Sequence, residues 1–253
     1  MMIHVRQFPC LKDNYGFLAH DDASGETATV DTPDADAILK AAADAGWRIT
    51  QIWNTHWHPD HAGGNATIKA ATGAVVIGPA EVERIGQAPD RIVADGETVS
   101  LGAHKARVID VGGHTLGHVA YAFDADRIAF VGDALFAMGC GRLFEGTAQQ
   151  MWASLSRLAA LPDDATLYCA HEYTESNARF AISIDPDNTA LQARVAEVTR
   201  LRADGKPTVP MTLAEEKATN PFLRAPLLKR ALGMESAADW EAFGEVRKRK
   251  DSF

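Results

Sequence analysis

Apolar positions follow two different spacings along this chain. In the first two-thirds they cluster in short runs bounded by turn residues, as strands do. "IHVRQF" (3–8), "YGFLAH" (15–20) and "ETATVD" (26–31) are the first three such runs. "DADAILKAAADAG" (34–46) is rich in helix formers and stops at Gly46, a C-cap residue. "ITQIWN" (49–54) predicts a strand, "NATIKAATG" (65–73) a helix and "AVVIG" (74–78) another strand. "KARVIDV" (105–111), "HVAYAF" (118–123) and "RIAFVGD" (127–133) predict three more strands, "AQQMWASLSRLAAL" (148–161) an amphipathic helix, and "TLYCA" (166–170) a last strand. Beyond His171 strand-like runs vanish, and "SNARFAISI", "NTALQARVAEVTRLRADG" and "SAADWEAFGEVRKRKD" are helical in period. The pattern predicts an α/β domain over residues 1–170 and a helical domain over 171–253. The density of strands suggests two sheets with helices outside them, with a single sheet as the alternative.

Composition adds limits. The 253 residues suffice for one large domain, or a medium and a small one, and 46% hydrophobic content can build the core. A net charge of −9 argues against a general nucleic-acid binder and requires a local basic patch for any anionic ligand. Cys10, Cys140 and Cys169 are odd in number and form no CxxC pair, so neither a disulfide framework nor a thiolate zinc site is expected. The start, MMIHVRQFPC, has no apolar signal core and no run of 18 apolar residues follows. A cytoplasmic protein with no membrane anchor is expected.

The candidate chemistry lies in "THWHPDHAGGN" (55–65), where the strand 49–54 ends. A lone histidine there would read as a surface loop residue. Four N/O ligands in the pattern HxHxDH instead suit a divalent metal. His56 and His58, two apart, project to the same side of extended chain and can share one ion. Asp60 and His61 point elsewhere, which makes a second ion attractive. Further ligands belong at later strand ends: His114 or His118 in "DVGGHTLGH", Asp133 in "FVGDALF" and His171 in "YCAHEYT". A carboxylate buried at such a point is costly unless paired or bound to metal. In the tail, Trp240, Phe243, Arg247 and Lys250 share one helix face, so the two cations continue an inward-facing apolar stripe.

These motifs resemble the metallo-β-lactamase superfamily and, within it, the hydroxyacylglutathione hydrolases, or glyoxalase II. The resemblance covers nearly the whole chain: "DNYGFL", "THWHPDHAGGN", "GHTLGH", "FVGDALFAMGCGRLFEGT", "CAHEYT", "TNPFLR" and the basic C-terminus. It implies an αββα sandwich followed by a C-terminal helical, substrate-binding domain. It puts His56, His58 and His114 on one metal ion, Asp60, His61 and His171 on a second, and Asp133 between them, with His118 in a supporting or packing role. The two ions are expected to be zinc, with iron or manganese also compatible. His4, His20 and His104 match no motif position.

The implied reaction is hydrolysis of an S-(2-hydroxyacyl)glutathione, such as S-D-lactoylglutathione, in the second step of methylglyoxal detoxification. Paired metals supply hydroxide at neutral pH. Asp60 and Asp133 are the expected catalytic carboxylates. A thiolate leaving group, with an ordinary thiol pKa near 8.5, needs little help from a general acid. The resemblance assigns the thiol end of the substrate to Arg142, Phe144, Tyr173, Arg247 and Lys250. Relatives commonly carry Lys and Tyr where this chain has Arg142 and Phe144. The missing hydroxyl predicts weaker thiol recognition with the reaction unchanged. A monomer acting on a small-molecule glutathione thioester, with neither nucleic acid nor membrane as partner, is expected. The alternatives are a lactonase or β-lactamase of the same fold, an iron-dependent sulfur dioxygenase, and a metal-binding module without turnover.

Overall fold

The computed structural model describes residues 2–253. Met1, the first residue of the expected catalytic domain, lies outside them. The chain forms two compact units, one of residues up to 110 together with 117–132, the other of 111–116 together with 133–253.

The first unit opens with an antiparallel meander, β1 (His4–Cys10), β2 (Asn14–His20) and β3 (Thr27–Val30). Helix α1 (Ala35–Ala45) follows, starting where Asp34 accepts a hydrogen bond from Ala37 N and ending at Gly46 in the left-handed region, φ 70°. β4 (Gln51–Trp53) pairs parallel to β3 and runs into the short helix α2 (Pro59–Ala62) and then α3 (Asn65–Thr72). β5 (Val75–Gly78) and β6 (Arg91–Ile92) complete a six-stranded sheet in the order β1-β2-β3-β4-β5-β6. β7 (Thr98–Leu101), β8 (His104–Asp110), β9 (Val119–Phe123) and β10 (Ile128–Gly132) form an antiparallel set.

These two sheets of the first unit face each other. Trp53 of β4 stacks on Phe123 of β9 at 5.6 Å, and Phe17 of β2 meets Phe130 of β10 edge-on at 5.6 Å. On its other face the first sheet is covered by α1 and α3, whose Ile38, Ala41, Ala42 and Ile68 pack with Leu18, Ile52 and Val76. A strand covered on both faces has no polar side, so every residue of β2 is buried and its sequence shows no alternation.

The second unit carries the small hairpin β11 (Leu135–Phe136) and β12 (Gly139–Cys140). Helix α4 (Ala148–Ala159) starts at a capping box between Thr147 and Gln150. Strand β13 (Thr166–Cys169) leads to α5 (Thr174–Ile184) and α6 (Thr189–Ala203). β14 (Met211–Thr212) pairs with β13, so strands do not end at His171 as the sequence suggested. The remaining helices are α7 (Leu213–Thr219), α8 (Ala225–Leu232) and α9 (Asp239–Asp251). An aromatic column of Phe180, Phe222 and Phe243, with Trp152 against Phe243, ties α5, α9 and α4 together. No helix among the described residues is long and apolar enough to cross a membrane.

Candidate functional site

The metal-loop residues follow directly from β4. That strand's apolar residues are buried and its chain emerges as Asn54–Thr55–His56, all fully buried. Burial of so many polar groups demands partners. Asn54 and Asn65 exchange side-chain hydrogen bonds, and Asn54 Nδ2 also donates to His61 O at 3.0 Å. Gly64 lets the loop close on Thr32, since a Cβ there would lie 2.7 Å from Thr32 O.

Asp31 is the hub of this loop, and sequence reasoning read it only as the end of a strand. Its carboxylate accepts from Thr55 N at 2.7 Å, Thr55 Oγ1 at 2.8 Å and His61 Nδ1 at 2.8 Å. The Thr55 hydroxyl proton is thereby committed to Asp31, so Thr55 Oγ1 accepts from His56 Nδ1 at 3.0 Å. One carboxylate thus fixes the protons of two imidazoles on Nδ1 and turns both Nε2 lone pairs to ligation. Asn14 Nδ2 donates to Asp60 Oδ2 at 3.1 Å and orients that carboxylate. His118 stacks on His56, 4.6 Å between centroids and 18° between planes, which is a supporting position for that ring.

Within the first unit, His56 Nε2 lies 3.0 Å from His58 Nδ1, and His61 Nε2 lies 3.5 Å from Asp60 Oδ2. Within the second unit, Asp133 has one histidine on each oxygen: His114 Nε2 at 3.3 Å from Oδ2 and His171 Nε2 at 3.3 Å from Oδ1. His114 Nδ1 donates to the carbonyl of Arg142 at 2.9 Å, so its Nε2 also presents a lone pair. Gly141 permits this approach, because a Cβ there would lie 2.1 Å from Asp133 O.

This donor set fits divalent metal. A lone pair facing a carboxylate oxygen is repulsive unless a cation or a proton lies between them. A charge-assisted N–H···O bond would close to about 2.7–2.9 Å. Bonds of about 2.0–2.2 Å to a tetrahedral zinc-like ion set neighbouring ligand atoms about 3.3–3.5 Å apart. The 3.3 Å and 3.5 Å separations match the second case, while His56 Nε2 and His58 Nδ1 at 3.0 Å stand at hydrogen-bond distance. Nδ1 bonds to a carboxylate and to a carbonyl are the usual supports of metal-bound histidine.

Also in the second unit, a cavity of about 490 Å³ is lined by His114, Asp133, Arg142, Phe144, Tyr173, Arg247 and Lys250, among others. All five residues expected at the thiol end therefore share one cavity with two of the expected ligands. Phe144 is 62% exposed, its ring 5.2 Å from that of His114. Tyr173 stacks flat on His171 at 4.6 Å. Arg247 is buried and partly committed: Nη1 donates to Cys140 O at 3.1 Å, and Nε and Nη2 donate to Asp251. Lys250 Nζ donates to Ser176 O at 3.1 Å, and its pKa is lowered to about 8, first by desolvation and then by Arg247, Arg179 and Arg142. A cavity that depresses a lysine in this way favours an anion. Cys10, Cys140 and Cys169 are free and buried, and burial pushes their thiols up to about 12, 11 and 12, which makes them poor nucleophiles.

The fold and these ligand clusters define a class. Residues 22–171 match the metallo-beta-lactamase superfamily. The crystal structure of the BLEG-1 B3 metallo-beta-lactamase superposes with a TM-score of 0.67 at 19% identity, covering 87% of this chain and 99% of that one. The chain has the metallo-β-lactamase fold. Residues 172–253 match the hydroxyacylglutathione hydrolase C-terminus. The hydroxyacylglutathione hydrolase of Maricaulis maris is 63% identical over 98% of both chains, and that of Hyphomonas neptunium is 56% identical over 100% of this chain and 99% of its own. The chain belongs to the hydroxyacylglutathione hydrolase family.

Proposed function

We propose that this protein hydrolyses S-(2-hydroxyacyl)glutathione, such as S-D-lactoylglutathione, to glutathione and a 2-hydroxy acid, the second step of methylglyoxal detoxification. The observation that carries the reading is the single cavity holding His114 and Asp133 together with Arg142, Arg247 and Lys250. It offers metal-ligating groups and a cationic grip for the carboxylates of a thiol tripeptide. His56, His58 and His114 would hold one ion and Asp60, His61 and His171 the other, with Asp133 as a ligand available to both. The ions are zinc in this reading, with iron and manganese compatible with the same N/O donors. When bound, they supply hydroxide at neutral pH and polarise the thioester carbonyl.

The chain's own residues do the rest. Asp31 and the Arg142 carbonyl keep His56, His61 and His114 in the ligating tautomer. Asp60, held by Asn14, orients the nucleophile. Arg247 and Lys250 take the glycine carboxylate end, while Arg142, Phe144 and Tyr173 line the thiol. Residues 1–170 act as the catalytic domain and 171–253 as the substrate-binding domain, a division supported by the junction of the two family matches at 171/172. The protein acts as a cytoplasmic monomer, without nucleic-acid or membrane partners.

Full-length relatives named hydroxyacylglutathione hydrolase do not favour a lactonase, a β-lactamase or a dioxygenase. Metal analysis with parallel assays on a thioester, a lactone and a β-lactam, and oxygen uptake with glutathione persulfide, tests the reading. The thioester is expected to be the substrate, with two ions per chain. Asp133→Ala is expected to lose metal and at least a thousandfold in rate. Full rate and two ions in that variant would remove Asp133 from its role.

A further inference from the structure

The hairpin formed by β11 and β12 supplies Phe136 and Cys140 to the cavity wall, and Gly141 follows directly. Its turn is unusual: Met138 has φ 54°, a left-handed conformation that favours glycine. Something must hold the turn there. Glu216 of α7, fully buried and outside the cavity lining, accepts Met138 N at 2.8 Å through Oε2. The same oxygen accepts Asn220 Nδ2 at 2.9 Å. Asn220 Nδ2 also reaches Phe136 O at 3.1 Å and Gly139 O at 3.0 Å, and Asn177 Nδ2 donates to Ala137 O at 3.1 Å. The polar main chain of the turn is thus clamped by side chains. The clamp extends to the ligand grip, because Cys140 O at the end of β12 anchors Arg247 Nη1.

We propose that Glu216, acting with Asn220, is a positioning residue for thiol binding: it sets the 136–139 turn, and through Cys140 the cavity wall and the Arg247 guanidinium. This rests on the hydrolase reading above. Glu216 is not among the residues that line the cavity; its hydrogen bonds go to Met138 N and Asn220 Nδ2. Burial also raises its pKa to about 7, with Arg194 and Glu215 the charged side chains acting on it. A carboxyl kept at such a site performs a task that an apolar residue could not.

The test compares E216D, E216Q and N220S as metal-loaded proteins. The readouts are kcat and KM for S-D-lactoylglutathione, the dissociation constant of glutathione by calorimetry, metal content and Tm. Aspartate is one methylene too short to reach Met138 N, whereas glutamine retains an acceptor at the right distance. E216D is expected to raise KM and the glutathione dissociation constant tenfold or more, with kcat within threefold of wild type. E216Q is expected to restore both constants to within threefold. If E216D does not fold, N220S releases the same turn and is expected to show the same split. A drop in Tm with KM and glutathione affinity unchanged would overturn the proposal, and so would a loss confined to kcat. Absence of thioester turnover in the wild type would instead refute the hydrolase reading. The calorimetric arm would then still decide whether Glu216 positions the cavity.

Discussion

Lys250 gives the sharpest prediction about ligand binding. It titrates near pH 8 rather than 10.5 because desolvation and the cations Arg247, Arg179 and Arg142 oppose its charge. The sign follows directly: the ammonium is present below pH 8 and lost above it, so an anionic substrate is gripped less as pH rises. If only the charged form grips the carboxylate, KM scales as one plus the ratio of neutral to charged lysine. That factor is near one at pH 7 and about ten at pH 9. A charge-assisted hydrogen bond of about 1.5–3 kcal/mol is large enough to sustain the tenfold change. The assay is steady-state hydrolysis of S-D-lactoylglutathione from pH 6.5 to 9.5, corrected for spontaneous hydrolysis. Log KM is expected to be flat to about pH 7.5 and then to rise toward unit slope. The α-amine of the substrate also titrates at the upper end, so Lys250→Arg is the control. Its guanidinium stays charged throughout, and its KM is expected to stay flat. A flat wild-type profile, or the same slope in Lys250→Arg, would refute the assignment.

Three more outcomes are expected. Phe144→Tyr restores a hydroxyl at the cavity edge and should lower KM by roughly two- to tenfold at unchanged kcat, the worth of one neutral hydrogen bond; an unchanged KM would mean the ring does not contact substrate. Asp31→Asn tolerates the left-handed φ of 58° there but has one acceptor oxygen where the carboxylate has two, so its NH2 faces either Thr55 N or both Thr55 Oγ1 and His61 Nδ1. Metal affinity, measured by competition with a chelator, should fall about 10–100-fold. Glu216 has a folded-state pKa of about 7 against 4.5 in the unfolded chain, so its contribution to stability is intact below pH 4.5 and lost as pH rises through 7. That loss totals about 3 kcal/mol, less than half of it between pH 6 and pH 8.5, so over that range wild type should fall relative to Glu216→Gln by a few degrees in Tm; parallel Tm curves would contradict it.

Asp133 and His171 share one feature, a polar residue ending an apolar run. They stand out because nothing in a strand's own packing calls for a carboxylate or an imidazole there, whereas His56, His58, Asp60 and His61 stand out by the HxHxDH pattern. Asp31 ends "ETATVD" in the same way and was legible by the same rule, but it lacks a neighbouring ligand motif to draw attention. The β11–β12 hairpin was not legible. "ALFAMGCG" is apolar or small at every position, so it has no alternation to mark strands, and its turn uses Met138 where a glycine would have given the signal. Glu216 was invisible for a related reason. "TLAEEKATN" looks like an exposed helix start, and only the folded chain shows which of its two glutamates is buried. The Thr212–Glu215 capping box in that stretch is a sequence-readable helix start that periodicity alone passed over.

Position 142 serves two masters with different parts of itself. Its carbonyl steers the His114 ring, while its side chain faces the cavity. Every residue type has the same carbonyl, so the guanidinium can be exchanged for another cation without losing the hydrogen bond that orients His114. If this cavity takes the thiol as proposed, a change at position 142 alters the thiol's surroundings while the support of His114 stays in place. The neighbouring glycine has no such latitude, since any side chain there collides with the backbone of Asp133.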